Sequence, residues 1–373
     1  LVIKMIRKIF NMILAFVTYP FCKIKEDIWL VGGNAGQLYV DNARAIHEFL
    51  LKRRKNVYWI VEKNSNLRNY FEKNNIPYLI KGSYKSYLYF MSSKVSLFSH
   101  SISADIVPYL CAVPFINYFH YKNYKVFLNH GTVGLKKRAA MNKKYEKLID
   151  KLLKSYNLNP CDSKLEKDIK VNDWKMNEET MYVCGYPRYD RLYGKINVNS
   201  DILYMPTWRN YSDISGYINK INEFINNKKL LNYLKTNNRY LKVYIHQLMQ
   251  DKIEILNNND RIVLLDKNED VTNLLKKSDI LITDYSSVAY DFYFMRKKVI
   301  FYQFDQKEYL EKIGSYVDLN NLFGEVVFNA DDVVESIISS KQIEYGKYFS
   351  YVDDKNCERL YKRILKDVYN GKG

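Results

Sequence analysis

Several things are scarce in this sequence, and each scarcity narrows its class. Its five cysteines, Cys22, Cys111, Cys161, Cys184 and Cys357, are scattered over 373 residues with no C-x-x-C pair. That argues against a disulfide framework or a cysteine zinc site and favours a reducing compartment. Long apolar runs are also missing. The first stretch ends at Pro20, short of the roughly 20 residues a spanning helix needs, and Thr18 to Cys22 make a poor signal-peptide cleavage site. Gly32-Gly33-Asn34-Ala35-Gly36 matches neither the Walker pattern nor the dinucleotide fingerprint and reads as a tight strand-to-helix turn. With no Asp-x-Asp motif at a suitable strand end, no tightly bound metal or cofactor is expected. The basic residues are spread and no ordered RNA-binding motif stands out, so nucleic acid is not an expected partner.

Acidic residues are in deficit: 58 Lys and Arg against 41 Asp and Glu leave a net charge of +17. Such an excess concentrates anionic partners, whether lipid or phosphate-bearing substrate. At the N-terminus, Ile3, Ile6, Phe10, Ile13, Leu14 and Val17 fall at helical spacing, with Lys4, Arg7, Lys8 and Asn11 on another face. Residues 1–22 therefore predict an amphipathic helix. It lies either in an anionic membrane surface, its lysines meeting headgroups, or against the protein's own body.

From Asp27 onward, short apolar runs alternate with amphipathic stretches, the pattern of a parallel sheet covered by helices. Ile28 to Val31, Val57 to Val61, Tyr78 to Ile80, Val95 to Phe98, Val126 to Leu128 and Tyr182 to Cys184 make one series. After a polar stretch, Tyr193 to Ser200, the pattern restarts with Ile202 to Met205. Leu241 to Ile245, Ile262 to Leu265, Ile280 to Ile282, Val299 to Tyr302 and Val326 to Phe328 follow. This predicts an α/β protein of two Rossmann-like domains, 23–195 and 196–352. A C-terminal helical segment, 353–373, would pack back on the first.

Four segments could carry chemistry, because ligands of such sheets gather beyond the strands' carboxyl ends. His130 directly follows a strand, and an imidazole suits proton abstraction near neutral pH. Lys136, Lys137 and Arg138 come next and could hold an anionic acceptor or simply face solvent. Thr207 and Arg209 follow the strand ending at Met205, where a guanidinium could grip phosphate or form a salt bridge. His246 follows another strand. In the run Thr283-Asp284-Tyr285-Ser286-Ser287 a strand turns into a helix, whose first amides and capping serines could receive a diphosphate.

In this order the segments resemble the CDP-glycerol glycerophosphotransferase family of teichoic-acid and capsule polymerases. The resemblance runs from Trp29-Leu30-Val31-Gly32 and Asp41-Asn42 through His130-Gly131-Thr132 and Gly185-Tyr186-Pro187-Arg188-Tyr189-Asp190. Pro206-Thr207-Trp208-Arg209, His246 and Thr283 to Ser287 complete it. It implies a GT-B-like fold, two Rossmann-like domains facing a central cleft, at the cytoplasmic face of the cell membrane. The implied reaction moves glycerol phosphate, or a related polyol phosphate, from CDP-glycerol or CDP-ribitol to a lipid-linked or glycan acceptor and releases CMP. By resemblance His130 is the base; Thr207, Arg209, His246, Ser286 and Ser287 hold the donor; Asp284 orients the loop. His246 counts as catalytic too, and Arg188 joins Lys136 and Lys137 for the acceptor. Two departures stand out: Asn129 where the family often has Trp, and Gln247 where Pro is common. The alternative is a GT-B glycosyltransferase using a sugar nucleotide.

Overall fold

A computed structural model describes the chain except for residues 1, 25–26, 109–122, 139–142, 195–198, 210–213, 246–259, 267–268, 340–347 and 371–373. It divides into two compact units: residues 1–131, 142–191 and 349–373, and residues 132–141 with 192–348. Residues 132–141 thus cluster with the second unit, although the sequence reading places them in the first.

The first unit is built on five parallel strands: β1 (Ile28–Gly32), β2 (Val57–Val61), β3 (Tyr78–Ile80), β4 (Ser93–Phe98) and β5 (Tyr124–Phe127). Their order in the sheet is β3-β2-β1-β4-β5. Every residue of β1 is buried, as an unbroken apolar run requires when helices cover both faces. Burying such side chains contributes ~1.5–3 kcal/mol each. Beside this sheet, β6 (Asn159–Cys161) and β7 (Met181–Val183) make a separate parallel pair. The Tyr182–Cys184 run therefore does not join the main sheet.

The helix Asn356–Leu365 packs on this unit because Asp190 caps it. The Asp190 carboxylate accepts the Asn356 and Cys357 amides, each at 2.8 Å. Gly185, with φ of 77°, gives Asn356 room: a Cβ there would lie 1.9 Å from the Asn356 Oδ1.

The N-terminal helix Val2–Thr18 also lies on the first unit, but its orientation inverts simple amphipathic logic. Lys8 turns inward to Glu62 at 3.3 Å, Asn11 donates to the Gly82 carbonyl at 3.0 Å, and Ala15 is fully buried. Ile6, Phe10, Ile13, Val17 and, beyond the helix, Phe21 are exposed. The helix rests on its own protein through Lys8, Asn11, Met12 and Ala15 and leaves Ile6, Phe10, Ile13 and Val17 outward. Among the described residues no helix is long and apolar enough to cross a membrane.

On the inner face of the helix Asp41–Lys52, His47 is fully buried between Tyr39 and Trp59, and its Nδ1 lies 2.9 Å from the Tyr39 hydroxyl. Burial pushes its pKa from 6.5 down to about 3. A neutral ring with a depressed folded pKa contributes stability above pH ~6.5 that is lost as pH falls towards 3. His47→Phe is therefore expected to flatten the loss of unfolding free energy between pH 6.5 and 4 by ~1–3 kcal/mol, read from urea melts. An unchanged slope would remove His47 as the source.

The second unit repeats the plan with β8 (Ile202–Met205), β9 (Leu241–Val243), β10 (Ile262–Leu264), β11 (Ile280–Thr283), β12 (Lys298–Tyr302) and β13 (Glu325–Val327). All described pairings are parallel, in the order β10-β9-β8-β11-β12-β13. That is the doubly wound Rossmann order, whose direction reverses between its first and fourth strands. Here the reversal falls between β8 and β11, and in the first unit between β1 and β4.

Candidate active site

Loops at such a reversal leave in opposite directions, so a crevice opens at the carboxyl ends of the two strands. In the second unit Thr207, Arg209, Asp284, Ser286 and Ser287 follow the two strands at the reversal; in the first, His130 follows β5, the neighbour of β4.

In the first unit the loops after β1, β4 and β5 meet around one buried carboxylate. Asp105 accepts the amides of Ala35 at 2.9 Å, Ser99 at 2.9 Å and His100 at 2.7 Å. Gly32 allows this, since a Cβ there would stand 2.3 Å from the Asp105 carbonyl oxygen. After β5, Asn129 takes the left-handed conformation with φ of 57°. Asparagine tolerates this region better than most residues, which gives a local reason for its place here. Its side chain accepts the His130 amide at 2.9 Å and donates to the Gly131 carbonyl at 2.9 Å.

His130 then stacks on His100, with ring centroids 4.7 Å apart and planes within 4°. His130 is an exposed residue. Burial, then His100 and Arg188, push its pKa down to about 4. For His100, burial opposes protonation, but Asp105 outweighs it and the pKa rises. Asp41, at the start of its helix, is raised by burial despite Arg188, His100 and Arg191. At neutral pH His130 is an uncharged imidazole, able to take a proton.

Arg188 is placed differently from the acceptor hook expected of it. It is buried, donates to the His130 carbonyl at 3.1 Å, and lies over the Tyr186 and Tyr189 rings. Its backbone amide is held by Asn42, which also donates to the Asn129 carbonyl at 2.9 Å. This fixes the loop that carries His130.

In the second unit the loops after β8 and β11 are tied by Asp284. Its carboxylate accepts the Thr207 amide at 3.0 Å, the Thr207 hydroxyl at 2.8 Å and the Tyr285 amide at 2.6 Å. Arg209 is 1 % exposed and is paired with Asp284 at 2.9 Å and Asp305 at 2.7 Å. Its guanidinium also lies over Tyr217 and Tyr285. Burial opposes its charge, but the two carboxylates outweigh that and hold it protonated. Arg209 therefore sits inside the loop network and does not present its charge outward, unlike the phosphate grip that the sequence suggested. Thr207 is bonded within the same network.

Ser286 and Ser287 remain partly exposed at the start of the helix Val288–Phe294. The Ser286 hydroxyl lies 3.4 Å from the Val288 amide, and the Ser287 side chain makes no capping bond.

Lys136 and Lys137 are exposed and belong to the second unit. Their backbone is tied there: the Lys137 amide donates to Gly314 at 3.0 Å and the Tyr309 hydroxyl to Leu135 at 3.0 Å. His246 and Gln247 lie outside the described residues. Among the described residues, no three His, Cys, Asp or Glu side chains are grouped as metal ligands would be.

The family described as CDP-Glycerol:Poly(glycerophosphate) glycerophosphotransferase matches residues 18–366. The chain belongs to this family. Among curated relatives, the minor teichoic acid biosynthesis protein GgaB of Bacillus subtilis is 28% identical over 360 residues. That match covers 87% of this chain but 38% of GgaB. The teichoic acid glycerol-phosphate transferase of Staphylococcus aureus is 25% identical, over 89% of this chain and 91% of its own length. The solved wall teichoic acid polymerase TagF shares the GT-B-like fold, with a TM-score of 0.74, 17% identity, and coverage of 100% of this chain and 96% of TagF.

Proposed function

We propose that this glycerophosphotransferase moves glycerol phosphate, or a related polyol phosphate, from a CDP-activated polyol to an acceptor hydroxyl during teichoic acid biosynthesis. The observation that carries the reading is His130, an exposed imidazole just past the carboxyl end of β5 and stacked on His100. Its ring takes the proton of the acceptor hydroxyl as that oxygen forms a bond to the phosphorus bearing the glycerol. The bond from that phosphorus to the CMP oxygen breaks, and CMP leaves with the electron pair. Positioning and charge neutralisation supply most of the rate in such a transfer.

We assign the donor's diphosphate to the Ser286 and Ser287 hydroxyls, with His246 joining them on the family resemblance alone. Asp284, Thr207 and Arg209 hold that turn in shape. Lys136 and Lys137 are assigned to the anionic acceptor, which we take to be lipid-linked. Changing both Ser286 and Ser287 to alanine is expected to weaken CDP binding ~10- to 100-fold in calorimetry, because bonds to charged groups contribute ~1.5–3 kcal/mol. Undiminished affinity would place the diphosphate elsewhere.

The outward apolar stripe of the N-terminal helix supports a place at the cytoplasmic membrane surface, where Ile6, Phe10, Ile13 and Val17 enter the lipid and Arg7 meets headgroups. Deleting the helix would uncover the surface that Ala15 covers, so point changes are the cleaner probe. Phe10→Asp with Ile13→Asp is expected to abolish most sedimentation with phosphatidylglycerol vesicles and leave turnover on a soluble acceptor intact. Equal sedimentation would contradict the membrane assignment.

A further inference from the structure

His100 has a part in this site that the sequence motifs do not announce. It follows β4 as His130 follows β5, and these strands are neighbours in register, with Phe98 opposite Phe127. The two rings lie face to face at 4.7 Å. At that distance two imidazolium ions repel, so protonating one ring opposes protonating the other. What differs between them is the company each keeps. The His100 Nδ1 accepts the Asn34 amide at 3.3 Å and lies 3.5 Å from the fully buried Asp105 carboxylate, so protonation at Nδ1 exchanges the Asn34 bond for one donated to Asp105. His130 has the Arg188 guanidinium bonded to its own carbonyl at 3.1 Å. Asp105 also favours charge on His130, though burial, His100 and Arg188 outweigh it there, and Asp41 favours charge on His100. Asp105 is fixed in turn by three backbone amides and cannot swing towards His130 without losing them.

We propose that His100, held by Asp105, is a positioning residue that draws the pair's positive charge to itself and keeps the stacked His130 ring uncharged and oriented as a base. This rests on the reading of His130 as the base. It gives the Asp105 cluster, which contacts no reacting atom in that scheme, a part in the reaction. It also explains why the two histidines are stacked: the first ring to accept a proton is the one that does not take the proton from the acceptor.

The test is a histidine-resolved NMR titration of the full chain beside pH profiles of kcat/KM. In the wild type His100 should titrate above His130. In His100→Phe, which keeps an aromatic face but cannot be charged, the His130 pKa should rise by about one unit or more, and the acid limb of kcat/KM should move up with it. His100→Gln should give the same shift without the ring. A His130 titration that is unmoved in either folded variant overturns the proposal. So does a wild-type His100 that titrates below His130, a reading that needs no variant. Near-normal turnover of His130→Asn would instead sink the base assignment while leaving the measured coupling of the rings intact.

Discussion

Replacing His130 with alanine is expected to lower turnover ~10²–10⁴-fold, the range for a positioned general base, while CDP affinity stays within about twofold. The asymmetry follows from location. His130 belongs to the loop after β5 in the first unit, whereas the assigned donor contacts lie after β8 and β11 in the second. The substitution removes a proton acceptor and leaves Asp284, Thr207, Ser286 and Ser287 untouched. The pH dependence adds a second signature. A base held near pKa 4 is active in its neutral form, so kcat/KM should rise with pH through about 4, well below the ordinary imidazole value of 6.5. Near-normal turnover in the variant, or an acid limb at 6.5, would take His130 out of the reaction.

The second large effect is expected at Asp284. Changing it to alanine removes one of the two carboxylates that neutralise a fully buried guanidinium, together with the acceptor of the Thr207 and Tyr285 amides. Removing one partner of a buried pair costs ~3–5 kcal/mol, because the remaining charge stays in low dielectric. Asp305 still faces Arg209 at 2.7 Å, which puts the expectation at the lower end, ~2–4 kcal/mol in denaturant melts. CDP binding should fail as well, since the turn carrying Ser286 and Ser287 loses its anchor. Asp284→Asn keeps the shape and some hydrogen bonds and should cost roughly half as much. A variant as stable as the parent would mean that the network is not what holds this turn.

Much of this architecture was legible because parallel, doubly covered strands announce themselves locally. Val126 to Leu128 and Ile280 to Ile282 are continuous apolar runs, and each flows into a turn where His, Asp or Ser stands out. His130 could be found for that reason. What the sequence hid was set by partners distant along the chain. At Arg209 the sequence leaves a phosphate grip and an interdomain salt bridge both open, and it is Asp305, 96 residues away but in the same unit, that pairs with it. Arg188 looked like a surface hook, yet it bonds a carbonyl 58 residues away. The N-terminal helix was read correctly as a pattern, but Glu62 and Gly82 decide which face turns inward. His100 did leave a signal, a histidine just past a strand like His130, but without a glycine after it the position was passed over. Residues 132–141 follow β5 without a break, so nothing in their composition marks the passage into the second unit.

Incubation of the full chain with a teichoic-acid-type lipid-linked acceptor and, in parallel, CDP-glycerol, CDP-ribitol and a panel of UDP-sugars tests the central claim most directly. Acceptor-dependent release of CMP from a CDP-polyol, with the UDP-sugars left intact, is the expected result. Release of UDP from a sugar nucleotide while both CDP-polyols remain unconsumed would contradict it.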